Sequence, residues 1–186
     1  STEYGSNDAW HRGLESNDST IYRRDHGKDS GFSVRCVRDV TDTILVSYSS
    51  GWNIVWLPLD MEDASYSILF PESIEGTLYS FQDGYIQENE LINGTGYWLR
   101  LLNSSSVTFT GEEINTLTIS LSPEWNLITG FTQEISIGSI YDPQDIIVPG
   151  TLYGFDESYV QVSTLAPGRG YWLRSSGNGE IFLSGN

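Results

Sequence analysis

The sequence predicts an all-β protein, most of it built as two tandem, pseudo-symmetric repeats of β-sandwich or barrel-like form. Three observations carry this. Gly94-Thr95-Gly96-Tyr97-Trp98-Leu99-Arg100 returns as Gly168-Arg169-Gly170-Tyr171-Trp172-Leu173-Arg174. Apolar residues alternate with polar ones over short runs, the period of a half-buried strand. Gly, Ser, Thr and aromatic residues are abundant while Lys occurs once, a profile of short strands with frequent turns.

The chain of 186 residues carries a net charge of −16. No basic stripe could neutralise phosphates, so nucleic acid is excluded as a partner. No run of eighteen apolar residues is present, so no membrane insertion by a helix is expected. The charge is uneven: residues 1–39 hold seven acidic and six basic residues, residues 40–186 eighteen and three. Both histidines, the cysteine and the lysine fall in the first 39 residues, which places a boundary near 39–43. No signal peptide opens at Ser1, so the expectation is a piece of a longer precursor or a processed product.

Within residues 1–39, Phe32, Val34 and Cys36 alternate with Ser33, Arg35 and Val37, the pattern of a terminal strand. This segment has too few large apolar side chains to bury a core alone. Docking on the repeats, pairing with another polypeptide through those three residues, and disorder all remain open. Cys36 reads as a small buried hydrophobe or as one half of a bridge whose partner lies elsewhere.

The first repeat spans 41–111. Ile44, Val46 and Tyr48 share one strand face, and Trp52-Asn53-Ile54-Val55 follows. The second spans 114–185, where Leu117, Ile119, Leu121 and Trp125-Asn126-Leu127-Ile128 answer at an offset of 73. Beyond this the offset is 74: Gly76–Phe81 answers Gly150–Phe155, and Tyr85 answers Tyr159. Phe81–Tyr85 and Phe155–Tyr159 read as hairpin connections, with Asp83-Gly84 a favoured turn pair. Ala64–Phe70 and Ile135–Tyr141 are the places where a short helix could form, each ahead of a proline.

In the repeat signature, Gly94 and Gly96, like Gly168 and Gly170, suit a tight turn. Tyr97 and Leu99 then share one strand face, and Trp98 and Arg100 the other; Tyr171, Trp172 and Arg174 repeat the arrangement. A phosphate loop is excluded, because no third glycine and no helical pattern follow. Arg100 and Arg174 read as structural, each in an ion pair or cation–π contact within its own repeat, with a clamp on a ligand carboxylate as the alternative.

Chemistry is scarce in the repeats. Without His or Cys they offer no Ser–His or Cys–His nucleophile and no histidine zinc site, so no enzyme is expected. Paired carboxylates are present at Asp60, Glu62, Asp63 and at Glu88, Glu90, but Asp60 and Glu62 have no acidic pair at the equivalent positions near Gln133 and Glu134, contrary to what a repeated catalytic site would show. No cofactor is required. Asp142, Asp145, Asp156 and Glu157 supply oxygens that would suit calcium, without EF-hand spacing. Exposed aromatic rings could stack on sugars. Trp56, whose counterpart is Thr129, and Trp10 are the candidates for ligand-facing rings.

Two resemblances add to this. Ser1-Thr2-Glu3-Tyr4, Ala9-Trp10 and Gly31–Asp39 resemble the C-terminal end of the Fibrobacter succinogenes major paralogous domain. That implies the terminal fragment of a C-type-lectin-like fold. Trp52–Val55, Trp125–Ile128 and both Tyr-Trp-Leu-Arg segments resemble duplicated β modules near the C-termini of type IX-secreted bacterial surface proteins. Together they imply an extracellular, non-enzymatic structural or adhesive module at the cell surface. Residues 1–39 would let it self-associate into a fibre or join the rest of its precursor. The alternative is a carbohydrate-binding module that meets glycans through exposed aromatics.

Overall fold

Strands account for most of the secondary structure, and every pairing between them is antiparallel. The computed structural model describes residues 7–14, 21–28 and 41–185. The chain divides into two compact units, Ser1–Arg38 and Asp39–Asn186.

In the first unit, β1 (Asp8–Leu14) pairs with β2 (Ile21–Gly27) from Asp8↔Gly27 to Leu14↔Ile21. The Lys28 N–H extends this ladder by donating to the Asn7 carbonyl at 2.8 Å. Trp10 lies in β1; Phe32, Val34 and Cys36, and the strand expected there, lie outside the described residues.

The second unit begins with β3 (Asp42–Tyr48) and β4 (Gly51–Val55), joined by a tight turn. Asn53 ties this turn: its Oδ1 accepts from Ser49 N, and its Nδ2 donates to the carbonyls of Ser49 and Gly51. Next come β5 (Leu59–Asp60), the one-turn α1 (Tyr66–Leu69), and the hairpin of β6 (Tyr79–Phe81) and β7 (Tyr85–Gln87). Asp83 takes the left-handed conformation in that hairpin, at φ 55°. The strands β8 (Tyr97–Leu101) and β9 (Ser105–Glu113) close this half. They give one sheet in the order β4-β8-β6-β7 and another in the order β3-β9-β5.

The next half follows the same course. It comprises β10 (Thr116–Leu121), β11 (Glu124–Ile128), β12 (Ile135–Ser136) and a 3-10 turn at Ile137–Ser139. After these come β13 (Tyr153–Asp156), β14 (Ser158–Gln161), β15 (Thr164–Leu165), β16 (Tyr171–Ser175) and β17 (Gly179–Ser184). Its four-stranded sheet runs β11-β16-β13-β14, and β10 pairs with β17 as β3 pairs with β9. Both hairpins expected from the sequence form; of the two short helical segments, the second is the 3-10 turn with β12 before it.

Each half buries its own core between its two main pairings. In the first, Val46 and Tyr48 of β3 and Val107 and Phe109 of β9 face Val55, Tyr97 and Leu99. In the second, Ile119, Leu121, Ile181 and Leu183 face Ile128, Tyr171 and Leu173. A third cluster of Ile54, Trp98, Leu127 and Trp172 joins the halves, with Tyr79, Phe81, Tyr153 and Phe155 around it. The halves also exchange hydrogen bonds: Gly170 N donates to Ile54 O at 3.0 Å, and the Tyr48 hydroxyl donates to Gly168 O at 2.7 Å. Arg169 donates to the Ser47 carbonyl and lies 5.0 Å from the centre of the Tyr48 ring.

Candidate functional site: two aromatic clefts

Paired residues in an antiparallel ladder share a face, so the registers decide what each four-stranded sheet presents. Trp52 pairs with Arg100, Ile54 with Trp98, Trp98 with Tyr79, Tyr79 with Gln87, and Phe81 with Tyr85. One face thus carries Trp52, Trp98, Tyr79, Phe81 and Tyr85. The second sheet does the same with Trp125, Trp172, Tyr153, Phe155 and Tyr159. Asn53 and Asn126, which hold the turns, occupy the opposite faces. The Trp-Asn pair of the motif is therefore a division of labour: the asparagine fixes the turn and the tryptophan is sent outward.

The two aromatic faces stack on each other. Trp98 meets Phe155 edge-on at 4.8 Å, and Phe81 meets Trp172 at 4.9 Å. Beyond this contact each face continues and leaves a cleft. The first, about 490 Å³, is lined by Trp52, Tyr79, Tyr85, Trp98 and, from the other half, Phe155. The second, about 500 Å³, is lined by Trp125, Tyr153, Tyr159, Trp172 and, from the first half, Phe81. Each residue of one cleft has its repeat counterpart in the other. Both volumes fall in the range of small-molecule sites, roughly 300–1,000 Å³.

Inside the first cleft, Trp52 stands at 89° to Trp98 with centroids 6.1 Å apart, and Tyr79 lies 6.3 Å from Trp52. In the second, Trp125 and Tyr153 are 5.9 Å apart. Trp52 and Trp125 are 40% and 42% exposed, so each offers a ring to solvent, whereas Trp98 and Trp172 form the floor at 8%. Tyr85 and Tyr159 are exposed at the rims. Burial and the nearby Tyr85 phenol push the Tyr159 hydroxyl up, with the Trp172 indole acting against them.

The repeat signature builds the floor. Gly94 and Gly168 have positive φ of 88° and 70°, as a turn requires. Gly96 and Gly170 serve a second purpose, close approach: a Cβ on Gly96 would stand 2.4 Å from the Ile128 carbonyl oxygen, and one on Gly170 2.4 Å from Ile54 Cγ2. Tyr97 and Tyr171 are core residues whose hydroxyls accept from Ile92 N and Ala166 N. Arg174 makes the expected ion pair, donating from Nε and Nη2 to the Glu124 carboxylate, which it holds below its ordinary range. Arg100 departs from that expectation, with no carboxylate partner among the described residues. At Glu124's equivalent place stands Gly51.

Two expectations are corrected. Trp56 does not face a ligand: it has 0% exposure and packs against Gly130, where a Cβ would come 3.0 Å from the indole nitrogen. Its lack of an aromatic counterpart reflects the junction of the halves. Thr129, at the equivalent position, is also fully buried. The acidic set does not gather into a cation site either. Asp142 accepts from Ile147 N, Asp145 and Glu157 occupy left-handed turn positions, and Asp156 ends β13. Among the described residues no three potential metal-ligating side chains come together.

The solvent-exposed tryptophans of the clefts are thus Trp52 and Trp125, which the sequence places only as part of a repeated strand. Their signal was present in the alternation with Asn53 and Asn126. Compared with known proteins, the chain matches no family model, no curated protein and no solved structure.

Proposed function

We propose that residues 41–185 are two tandem, pseudo-symmetric copies of one β unit forming a non-enzymatic glycan-binding module. In this reading the module belongs to an extracellular bacterial surface protein, which it would attach to carbohydrate. The observation that carries it is the pair of equivalent aromatic clefts. Indole and phenol faces match the C–H faces of pyranose rings, and Tyr85 and Tyr159 add hydroxyls at the rims. Among the described residues the cleft walls hold five aromatic side chains each and no carboxylate. Glycoside hydrolysis needs two facing carboxyls, so those walls suit binding.

The two-copy reading is supported by detail beyond strand order. Thr77 Oγ1 donates to Ile74 O and accepts from Arg100 N, and Thr151 does the same with Val148 and Arg174. The two asparagine-held turns are likewise identical in their partners. On the same reading residues 1–39 are the end of a lectin-like domain that continues upstream.

Tryptophan fluorescence tests the function. Titration with a broad set of soluble polysaccharides is expected to quench or shift the emission of Trp52 and Trp125. A flat response across the set would overturn the glycan reading and leave a purely structural module.

A further inference from the structure

The two clefts share their aromatic residues but not the charge beside them. Trp52 and Trp125 each pair across the ladder with an arginine on the same sheet face, Arg100 and Arg174. Arg174 is engaged by Glu124, with Nη2 2.8 Å from Oε2. Glu124 opens β11 at φ 72°. Gly51 opens β4 at φ 84°, the same left-handed backbone with no side chain. Space is not the reason, since a Cβ at Gly51 would meet nothing within 4 Å. Arg100, exposed and the cross-strand partner of Trp52, consequently has no carboxylate on its guanidinium among the described residues.

Resting on the glycan reading, we propose that the first cleft is specific for a carboxylate-bearing sugar, with Arg100 pairing the carboxylate of a ring stacked on Trp52, while the second takes neutral sugar. Arginine and carboxylate meet through two parallel hydrogen bonds, which gives orientation as well as charge. Glu124 already fills that role for Arg174, so an acidic sugar there would meet a neutralised guanidinium and a competing anion. The net charge of −16 opposes any anion at long range. At physiological salt, however, charges farther than about 8 Å are largely screened, and the guanidinium at contact decides.

The indole N–H signals of Trp52 and Trp125 in a proton–nitrogen NMR spectrum report the clefts separately. The probes are matched pairs: methyl glucuronide with methyl glucoside, and methyl galacturonide with methyl galactoside. A uronide is expected to saturate the Trp52 shift at about tenfold lower concentration than its neutral partner, with the advantage shrinking as salt is added. Trp125 is expected to show no such preference. Gly51→Glu should abolish the preference at Trp52, Glu124→Gly should create one at Trp125, and Arg100→Ala should remove it without altering the turn. If neutral and acidic glycosides bind the first cleft alike, or the preference survives both Gly51→Glu and Arg100→Ala, the charge assignment is overturned and the glycan reading stands. If no sugar of either class moves either signal, the glycan reading falls and takes this inference with it.

Discussion

Trp98 of the first half stands edge-on to Phe155 of the second, at 4.8 Å and 76°, so each half walls the other's cleft. The reciprocal contact, Phe81 to Trp172, has nearly the same geometry at 4.9 Å and 77°. Phe155→Ala should therefore act in two places. It should lower stability by roughly 1–3 kcal/mol, less than for a fully buried Phe because Phe155 is only partly buried. A double-mutant cycle with Trp98 should return a coupling of about 0.5–1.5 kcal/mol in urea unfolding. It should also weaken ligand binding at Trp52, although Phe155 belongs to the other half.

The second glycine of each signature is required by its neighbours. Gly96→Ala would place a Cβ against the Ile128 backbone, which has no rotamer to yield. A loss of about 3 kcal/mol is expected, the upper end for overpacking. Gly170→Ala would meet Cγ2 of the buried, β-branched Ile54 and the Ile128 carbonyl oxygen and should cost a similar amount. Gly84→Ala, where a Cβ meets nothing within 4 Å, is the control and should stay within about 0.5 kcal/mol of the parent. Urea midpoints at constant m-value check all three.

Much of the fold was legible because strand chemistry is local. The alternation of Ile44, Val46 and Tyr48, the Asp83-Gly84 turn and the paired offsets of 73 and 74 need no tertiary information. The site was less legible because it is made between elements. Trp52 and Trp98 belong to different strands, and their common face follows from a register no local pattern states. Phe155 reaches the first cleft although it lies 57 residues beyond Trp98, its contact there, along the chain. Trp56 misled because offset reasoning assumes that equivalent residues have equivalent surroundings. That assumption fails where the halves touch, as it does between Trp56 and Gly130.

Alkaline pH should destabilise the second unit through Tyr48. Burial pushes its hydroxyl far above the ordinary value of 10.0, with Arg169 opposing, and the proton is given to Gly168 O. A raised folded value means that the stabilisation is complete below pH 10 and is lost as pH rises above it. The unfolded chain then releases a proton that the folded one keeps. The expected loss is about 1.4 kcal/mol per pH unit for this group. Tyr97 and Tyr171, also raised by burial, add to it. Tyr48→Phe should begin about 1 kcal/mol less stable and decline less steeply. Equal slopes would exclude Tyr48 as a contributor.

The Glu124–Arg174 pair can be read by carbon NMR of the carboxyl groups. Hydrogen bonds from the Arg174 guanidinium hold Glu124 below the ordinary value of 4.5. Its titration should therefore fall at lower pH than that of an unpaired glutamate. Arg174→Ala should return it to the ordinary range, and Arg100→Ala should leave it unchanged. The sign is that of a depressed carboxylate: whatever stability the pair contributes is present above its titration and disappears as pH falls through it.

The most direct measurement of the central claim is the number of ligands bound per chain. Calorimetric titration with an oligosaccharide that carries both uronate and neutral sugars, so that it offers each cleft its expected ligand, and that quenches the tryptophan emission should give two equivalents in the parent protein. Trp52→Ala and Trp125→Ala should each leave one, and the double variant none, with all three variants folded as judged by their urea transitions. A single equivalent in the parent, or binding unchanged in the double variant, would show that the aromatic clefts are not the ligand sites.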